Sequence, residues 1–103
     1  MLSSLYMQND PIYKKSRAVV SRPLKPETLI LPLKAGSVNL NQVYLLNETA
    51  GRIWELLDGQ RSVSTIVGLI TQEFEVTSAE VAADFAKLVS ELQQLNILEE
   101  VAN

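Results

Sequence analysis

The sequence predicts one α+β domain in which three strands come first and three helices follow. Its 103 residues suit a single small domain, and the apolar fraction of 47% is that of an ordinary globular protein. Residues 18–46 contain short apolar runs broken by proline and glycine, whereas apolar residues recur at helical spacing between residues 47 and 95. Because strands and helices are segregated along the chain, the pattern indicates α+β rather than alternating strands and helices.

The N-terminal residues 1–17 have mixed polarity without a period, and we expect them to form a flexible arm. The side chains that would anchor this arm are Leu5, Tyr6, Ile12 or Tyr13. The folded domain is then expected to span residues 18–101.

Three strands of an antiparallel sheet are predicted next. The first covers residues 18–21, and Pro23 and Pro26 should stop it. The second is the apolar run at residues 28–33, where Pro32 lacks an amide N–H, so this strand should end there or lie at an edge or bulge. Residues 34–37 supply turn chemistry.

The third predicted strand covers residues 42–46. Side chains of a strand alternate between its two faces. If Val43 and Leu45 face the core, then the opposite face carries Gln42, Tyr44 and Leu46. That face would be an apolar patch, either covered by the arm or the third helix, or used to dock a peptide.

The three predicted helices begin at good capping residues, namely Asn47, Ser62 and Thr77, and Thr77 has Glu80 at capping-box spacing. Gly59 and Asn96 are expected to end the first and third helices. Apolar stripes at helical spacing run along all three: Ala50, Ile53, Trp54 and Leu57; Val63, Ile66, Val67, Ile70 and Phe74; Val81, Phe85, Leu88, Leu92 and Leu95.

The helices resemble a helix-turn-helix, because the first two are short and joined by a tight glycine turn, and the third is longer. With the strands attached, the arrangement predicts a winged-helix-like domain, a three-stranded sheet followed by a three-helix bundle. Residues 97–98 are expected to form a short extended tail over the core.

Composition excludes most enzyme chemistry. The chain has no Cys and no His, which rules out thiol nucleophiles, disulfides, histidine bases and Cys/His zinc sites. The glycines at 36, 51, 59 and 68 match no nucleotide-binding fingerprint. We therefore expect no enzymatic activity, no cofactor and no metal.

Charge is unevenly distributed. Residues 1–34 hold six basic and two acidic residues, whereas residues 35–103 hold three basic and ten acidic residues. A third helix with Glu80, Asp84 and Glu91 against Lys87 alone would repel phosphate, so nucleic acid is not an expected partner. Neither a targeting segment nor a membrane span is recognisable, and the cytoplasm is the expected compartment.

Several sequence blocks together resemble the PqqD family over about residues 18–101. They are Leu46-Asn47-Glu48-Thr49-Ala50, residues 53–59, Ser62-Val63, Ile66-Val67, the capped third helix and Ile97-Leu98-Glu99. The resemblance implies a winged-helix-like recognition element that binds the leader of a ribosomally synthesised precursor peptide. It also implies presentation of that peptide to a modifying enzyme, which in pyrroloquinoline quinone synthesis is a radical SAM protein.

The resemblance also implies a binding groove, in which the leader pairs with the third strand and lies against the third helix. By position, the groove residues are Gln42, Val43, Tyr44, Leu45, Leu46, Asp84, Lys87, Leu88 and Glu91. Leader apolar residues would sit between Tyr44 or Leu46 and Leu88. Lys87 would pair with a leader carboxylate, and Asp84 or Glu91 with a leader cation.

Two alternatives remain open from the sequence. One is a winged-helix regulator that binds nucleic acid through the basic residues between positions 14 and 34. The other is a structural or dimerising subunit whose arm, residues 1–17, exchanges between protomers, which is compatible with peptide binding.

Overall fold

The computed structural model describes residues 10–33 and 43–101. Three of the predictions concern residues outside these ranges. They are the turn at residues 34–37, the site residue Gln42, and the anchoring side chains Leu5 and Tyr6. The elements, in chain order, are β1 (Tyr13–Lys15), β2 (Val19–Leu24), β3 (Glu27–Pro32), β4 (Tyr44–Leu46), α1 (Glu48–Leu56), α2 (Val63–Glu73), α3 (Ser78–Gln94) and β5 (Leu98–Glu100). The predicted α+β class, with three helices and antiparallel sheets among the described residues, is confirmed.

The larger sheet has the order β2–β3–β4 and is antiparallel throughout. Its central strand ends at Pro32, as predicted. The prediction that Pro23 stops the first strand is wrong, because β2 continues through Pro23 to Leu24. Since β2 is an edge strand, a residue without an amide N–H is tolerated there.

A second sheet pairs β1 with β5 in antiparallel register, with Lys14 opposite Glu99. The exposed side chains of this pair form an ion pair at 3.3 Å. Residues 13–15 thus form a strand, whereas their sequence predicted part of a flexible arm. A strand of three residues is too short to show a periodic pattern of apolar side chains. Its partner strand, β5, also lies more than 80 residues further along the chain. The domain boundaries at 18 and 101 stay predictions.

Hydrogen bonds attach the β1 segment on both of its sides. The backbone N–H groups of Gly59 and Val63 donate to the carbonyls of Tyr13 and Pro11, both at 2.9 Å. On the other side, Ser16 N–H donates to the Ile97 carbonyl at 2.7 Å. The segment therefore joins the α1–α2 connection to the C-terminal strand.

The helix ends follow the predicted capping chemistry. Asn47 Oδ1 accepts from Ala50 N–H at 2.9 Å, Ser62 Oγ from Thr65 N–H at 3.4 Å and Thr77 Oγ1 from Glu80 N–H at 3.2 Å. The left-handed residues after the first and third helices are Gly59, with φ of 80°, and Asn96, with φ of 61°. The three N-caps and the end of the third helix before Asn96 are confirmed, whereas α1 ends at Leu56, three residues before Gly59.

The core lies between the helices and the inner face of the larger sheet. Its most deeply buried side chains come from the predicted stripes and from β3: Ile30, Ile53, Trp54, Leu57, Ile66, Ile70, Phe85 and Leu92. Ile97 and Leu98 are also buried, which confirms the predicted tail over the core. Among the described residues, no helix combines the length and the apolar character that crossing a lipid bilayer requires.

Candidate functional site

A groove runs between strand β4 and helix α3. It consists of two adjoining cavities of about 260 Å³ and about 330 Å³. Both are lined by Leu45 and Leu46 from β4 and by Leu88 and Glu91 from α3. The cavities therefore form one continuous depression along the strand, which we call the β4–α3 groove.

Most of the predicted site residues meet in this groove. Asp84 and Lys87 line the first cavity and Tyr44 the second, beside the four residues that line both. Val43 lies next to β4 and is not among the lining residues. The placement supports the geometry of the predicted site, and its role in binding stays a prediction.

The structure reverses the face assignment considered for β4. Leu46 is buried, with 8% of its surface exposed, whereas Val43 and Leu45 are 53% and 54% exposed. The cause is the pairing register, which places Tyr44 opposite the buried Ile30 of β3. Tyr44 and Leu46 thus face the core, and Leu45 is the apolar side chain that β4 offers to solvent.

The groove has an apolar floor and a charged rim. Leu46 and Leu88 are both buried, so each belongs to the core as well as to the groove wall. Asp84, Lys87 and Glu91 are exposed on α3. Within the described residues, none of these three has an ion-pair partner within 4.0 Å. Their charges are therefore available to a bound ligand.

Several lining residues were not predicted. Leu92, Gln94 and Leu95 extend the groove along α3 beyond Glu91. Leu92 and Leu95 lie four and seven positions after Leu88, which is the spacing of one helical face. The same periodicity that identified the core stripe thus contained the signal for this end of the groove.

Among the strands of residues 10–33 and 43–101, β4 lies at one edge of the larger sheet. A strand at a sheet edge offers main-chain groups that a further strand can pair with. An extended peptide can add to such an edge while its alternate side chains enter neighbouring pockets. The edge and the groove beside it provide both parts of that mode of binding.

The shifted pKa values belong to groups outside the groove. Burial lowers the pKa of Lys15, whose Nζ lies 4.9 Å from the centroid of the Trp54 ring, although Asp58 and Glu55 oppose the shift. Hydrogen bonding with Glu73 raises the pKa of Arg52, and Arg52 lowers that of Glu73. These groups link neighbouring elements, since Arg52 lies on α1 and Glu73 on α2.

Comparison with known proteins gives two matches. The family model PqqD, described as coenzyme PQQ synthesis protein D, matches residues 24–98. The solved structure of TbiB1 in complex with the TbiA(beta) leader peptide is similar, with a TM-score of 0.70 and 30% sequence identity. The match covers 87% of this chain and 99% of that one. No curated protein matches the sequence.

Proposed function

The chain belongs to the PqqD family, and from this premise we propose that it is a recognition element for a ribosomally synthesised precursor peptide. In this proposal it binds the leader of the precursor, has no enzymatic activity of its own, and presents the peptide to a modifying enzyme. The observation that carries the proposal is the β4–α3 groove beside a sheet edge. The similar TbiB1 structure contains a leader peptide, which supports the same class of ligand here.

The leader is proposed to add to the edge of β4 as an extended strand. Main-chain hydrogen bonds to the edge supply affinity that depends little on leader sequence. Alternate leader side chains then enter the β4–α3 groove, where Leu88 forms the floor and Leu45 borders the opening. Burial of apolar leader side chains there contributes about 25 cal/mol per Å² removed from water.

The charges on the groove rim are proposed to select among leaders. Lys87 would pair with a leader carboxylate, whereas Asp84 and Glu91 would pair with leader Lys or Arg. Each exposed pair contributes only ~0–1 kcal/mol. The rim therefore discriminates between peptides more than it holds them, and apolar contacts and main-chain pairing provide most of the affinity.

We assign helices α1–α3 and the larger sheet to the winged-helix-like class, as the family resemblance implies. The proposed partner enzyme is a radical SAM protein or another enzyme that modifies the precursor. Holding the leader raises the effective concentration of the rest of the precursor near that enzyme. The proposed compartment is the cytoplasm, where a newly translated precursor is available.

Isotope-edited NMR titration tests the proposal. The labelled chain receives precursor peptides whose genes neighbour its own, then the TbiA(beta) leader, then a short DNA duplex. We expect peptide-induced shifts at residues 44–46 and 84–91, and none with the duplex. Shifts with the duplex alone, in the basic residues between 14 and 33, would favour the nucleic-acid alternative. No response to any peptide overturns the proposal.

The alternative that the chain is a dimerising subunit is tested in a parallel experiment. Light scattering over a range of protein concentrations reports the mass of the free and the peptide-bound chain. A mass near 11.4 kDa in both states supports a monomeric recognition element. A concentration-dependent doubling of mass would instead support exchange of the N-terminal segment between protomers, which is compatible with peptide binding.

A further inference from the structure

Three large apolar side chains that are exposed in the described part of the chain lie on one face of the larger sheet. They are Val20, Leu24 and Leu45, with exposed fractions of 38%, 52% and 54%. Leu33 and Val43, which are also exposed, directly follow β3 and directly precede β4. Single exposed apolar residues are common on protein surfaces, whereas their concentration on one face marks an interaction site. We call this the outer face of the sheet.

The pairing register makes the outer face continuous. Arg22, Leu29 and Leu45 lie opposite one another across the three strands, and Val20 lies opposite Leu31. Leu29 and Leu31 are half-buried and fill the space between the exposed side chains. On the other face, Ile30 and Leu46 are buried in the core. No helix among the described residues covers the outer face, since α1–α3 bury their stripes with the inner one.

Charge around the outer face is basic. Residues 17–33 contain three basic residues and Glu27, whereas the helical residues 48–94 contain three basic and eight acidic residues. Arg22 lies on the edge strand β2, opposite Leu29 of the central strand, and is exposed. Arginine is enriched at protein–protein interfaces and among the residues that carry most of the binding energy.

We propose that the outer face is the docking surface for the modifying enzyme, which carries an apolar patch with an acidic rim. This inference rests on the proposed function. The outer face ends at β4, which also borders the leader groove, so an enzyme docked there lies next to the bound leader. A second copy of the chain fits less well, because a two-fold interface would bring two basic faces together.

Site-specific photo-crosslinking in the source cell tests the location of the contact. A benzophenone amino acid replaces Val20 or Leu24 on the outer face, and Gln72 or Gln93 on the exposed helical surface as matched controls. We expect the outer-face positions to crosslink an enzyme that modifies peptides, identified by mass spectrometry, and the control positions not to do so. Crosslinks to a second copy of this chain, or no enzyme at either outer-face position, overturn the inference.

Affinity measurements with the identified, purified enzyme test the mechanism. We expect Arg22→Glu and the double variant Val20→Thr/Leu24→Thr each to weaken enzyme binding by about tenfold or more. Only the loss from Arg22→Glu should shrink as salt is raised. Gln72→Glu, which adds negative charge on α2, should leave enzyme affinity unchanged.

Leader affinity, measured in the same variants, distinguishes a failure of the docking surface from a failure of the proposed function. The outer-face variants on β2 are two strands away from the groove and should retain wild-type leader affinity. Wild-type enzyme affinity in these variants overturns the docking surface and leaves leader recognition standing. Failure of the wild-type chain to bind any leader would instead overturn the proposed function.

Discussion

Gly51 and Gly68 both lie inside helices, yet their surroundings differ. A Cβ atom on Gly51 would lie 2.5 Å from Thr28 Oγ1 and 3.1 Å from Thr28 Cβ. Around Gly68 no atom lies within 4 Å of such a Cβ. Gly51 therefore permits α1 to approach β3 closely. Gly68 is exposed and permits no close contact, so its lower helix propensity is not offset by packing.

Alanine substitutions at these two positions should have opposite effects on stability. Gly51→Ala forces α1 away from β3 and should lower the free energy of unfolding by about 1–3 kcal/mol. Gly68→Ala removes backbone freedom from the unfolded chain and should raise it by up to about 1 kcal/mol. Chemical denaturation of the two variants provides the measurement. Equal effects of the same sign would contradict this account of α1 packing.

Leu45 and Leu88 are two of the apolar residues that line the groove, and only Leu45 can be changed without cost to the core. Leu45 is 54% exposed, so Leu45→Ser should change the free energy of unfolding by no more than about 0.5 kcal/mol. The same change should reduce leader affinity, because it removes an apolar contact beside the sheet edge. Calorimetric titration with the leader measures this loss.

Substitution of Leu88 affects the stability of the core as well as leader binding. Leu88→Asp places an unpaired charge at a buried position, so it should destabilise the fold by several kcal/mol as well as abolish binding. Circular dichroism must therefore accompany any binding measurement on this variant. Unaltered leader affinity in either folded variant would remove the groove from the proposal.

At the scale of elements, the helices and the three strands of the larger sheet were predictable, whereas strand β1 and the face that β4 turns to the core were not. Asn47, Ser62 and Thr77 cap helices through contacts three residues away, and the apolar stripes repeat over several turns. Both signals are local in sequence. The strand β1 and the facing of β4 depend instead on partners elsewhere in the chain. Three consecutive apolar residues in β4 also carry no alternation from which the core face could be read.

In the groove, too, the features that depend on local sequence were predictable and those that depend on strand pairing were not. Asp84, Lys87, Leu88 and Glu91 share one face of α3 because helical spacing places them there, so the helical wall was predictable. The wall formed by β4 was identified through the family resemblance, but its orientation was reversed. Register decided that orientation, through the pairing of Tyr44 with Ile30.

The link between the N-terminal segment and α2 should be sensitive to pH. Asp10 accepts hydrogen bonds from the backbone N–H of Ser64, at 2.8 Å, and from its hydroxyl. Desolvation raises the pKa of Asp10, but the hydrogen bonds with Ser64 outweigh it and lower the pKa below its ordinary value of 3.8. The ionised form is therefore the one that favours folding.

Because the folded-state pKa is the lower one, the contribution of Asp10 is complete above the unfolded-state pKa and disappears as pH falls through the folded-state pKa. Wild type should thus be more stable than Asp10→Ala at neutral pH, and the difference should shrink below about pH 4. Paired denaturation curves from about pH 7 to about pH 2 measure it. A difference that stays constant across this range would contradict the assigned role.

At the scale of the whole molecule, the two sheets have different roles, one in partner binding and one in joining elements of the fold. The larger sheet supplies the edge at β4 and the outer face, both directed to partners in our proposals. The small β1–β5 sheet joins the two ends of the described chain and holds the α1–α2 connection through Gly59 and Val63. Lys15 of this sheet also lies over the Trp54 ring. Residues 10–17, the described part of the segment that the sequence assigned to a flexible arm, are thus attached to the fold.

Truncation at the predicted domain boundary should therefore destabilise the whole protein. A chain that begins at residue 18 lacks β1 and the backbone hydrogen bonds that join it to Gly59, Val63, Ile97 and Val101. At about 1 kcal/mol for each bond, the expected loss is about 4 kcal/mol in the free energy of unfolding. A chain that begins at residue 10 keeps all of these bonds and is the matched control. Urea denaturation of both should place the midpoint of the shorter chain well below that of the control. Equal midpoints would show that the domain folds from residue 18 onward and that β1 only rests on its surface.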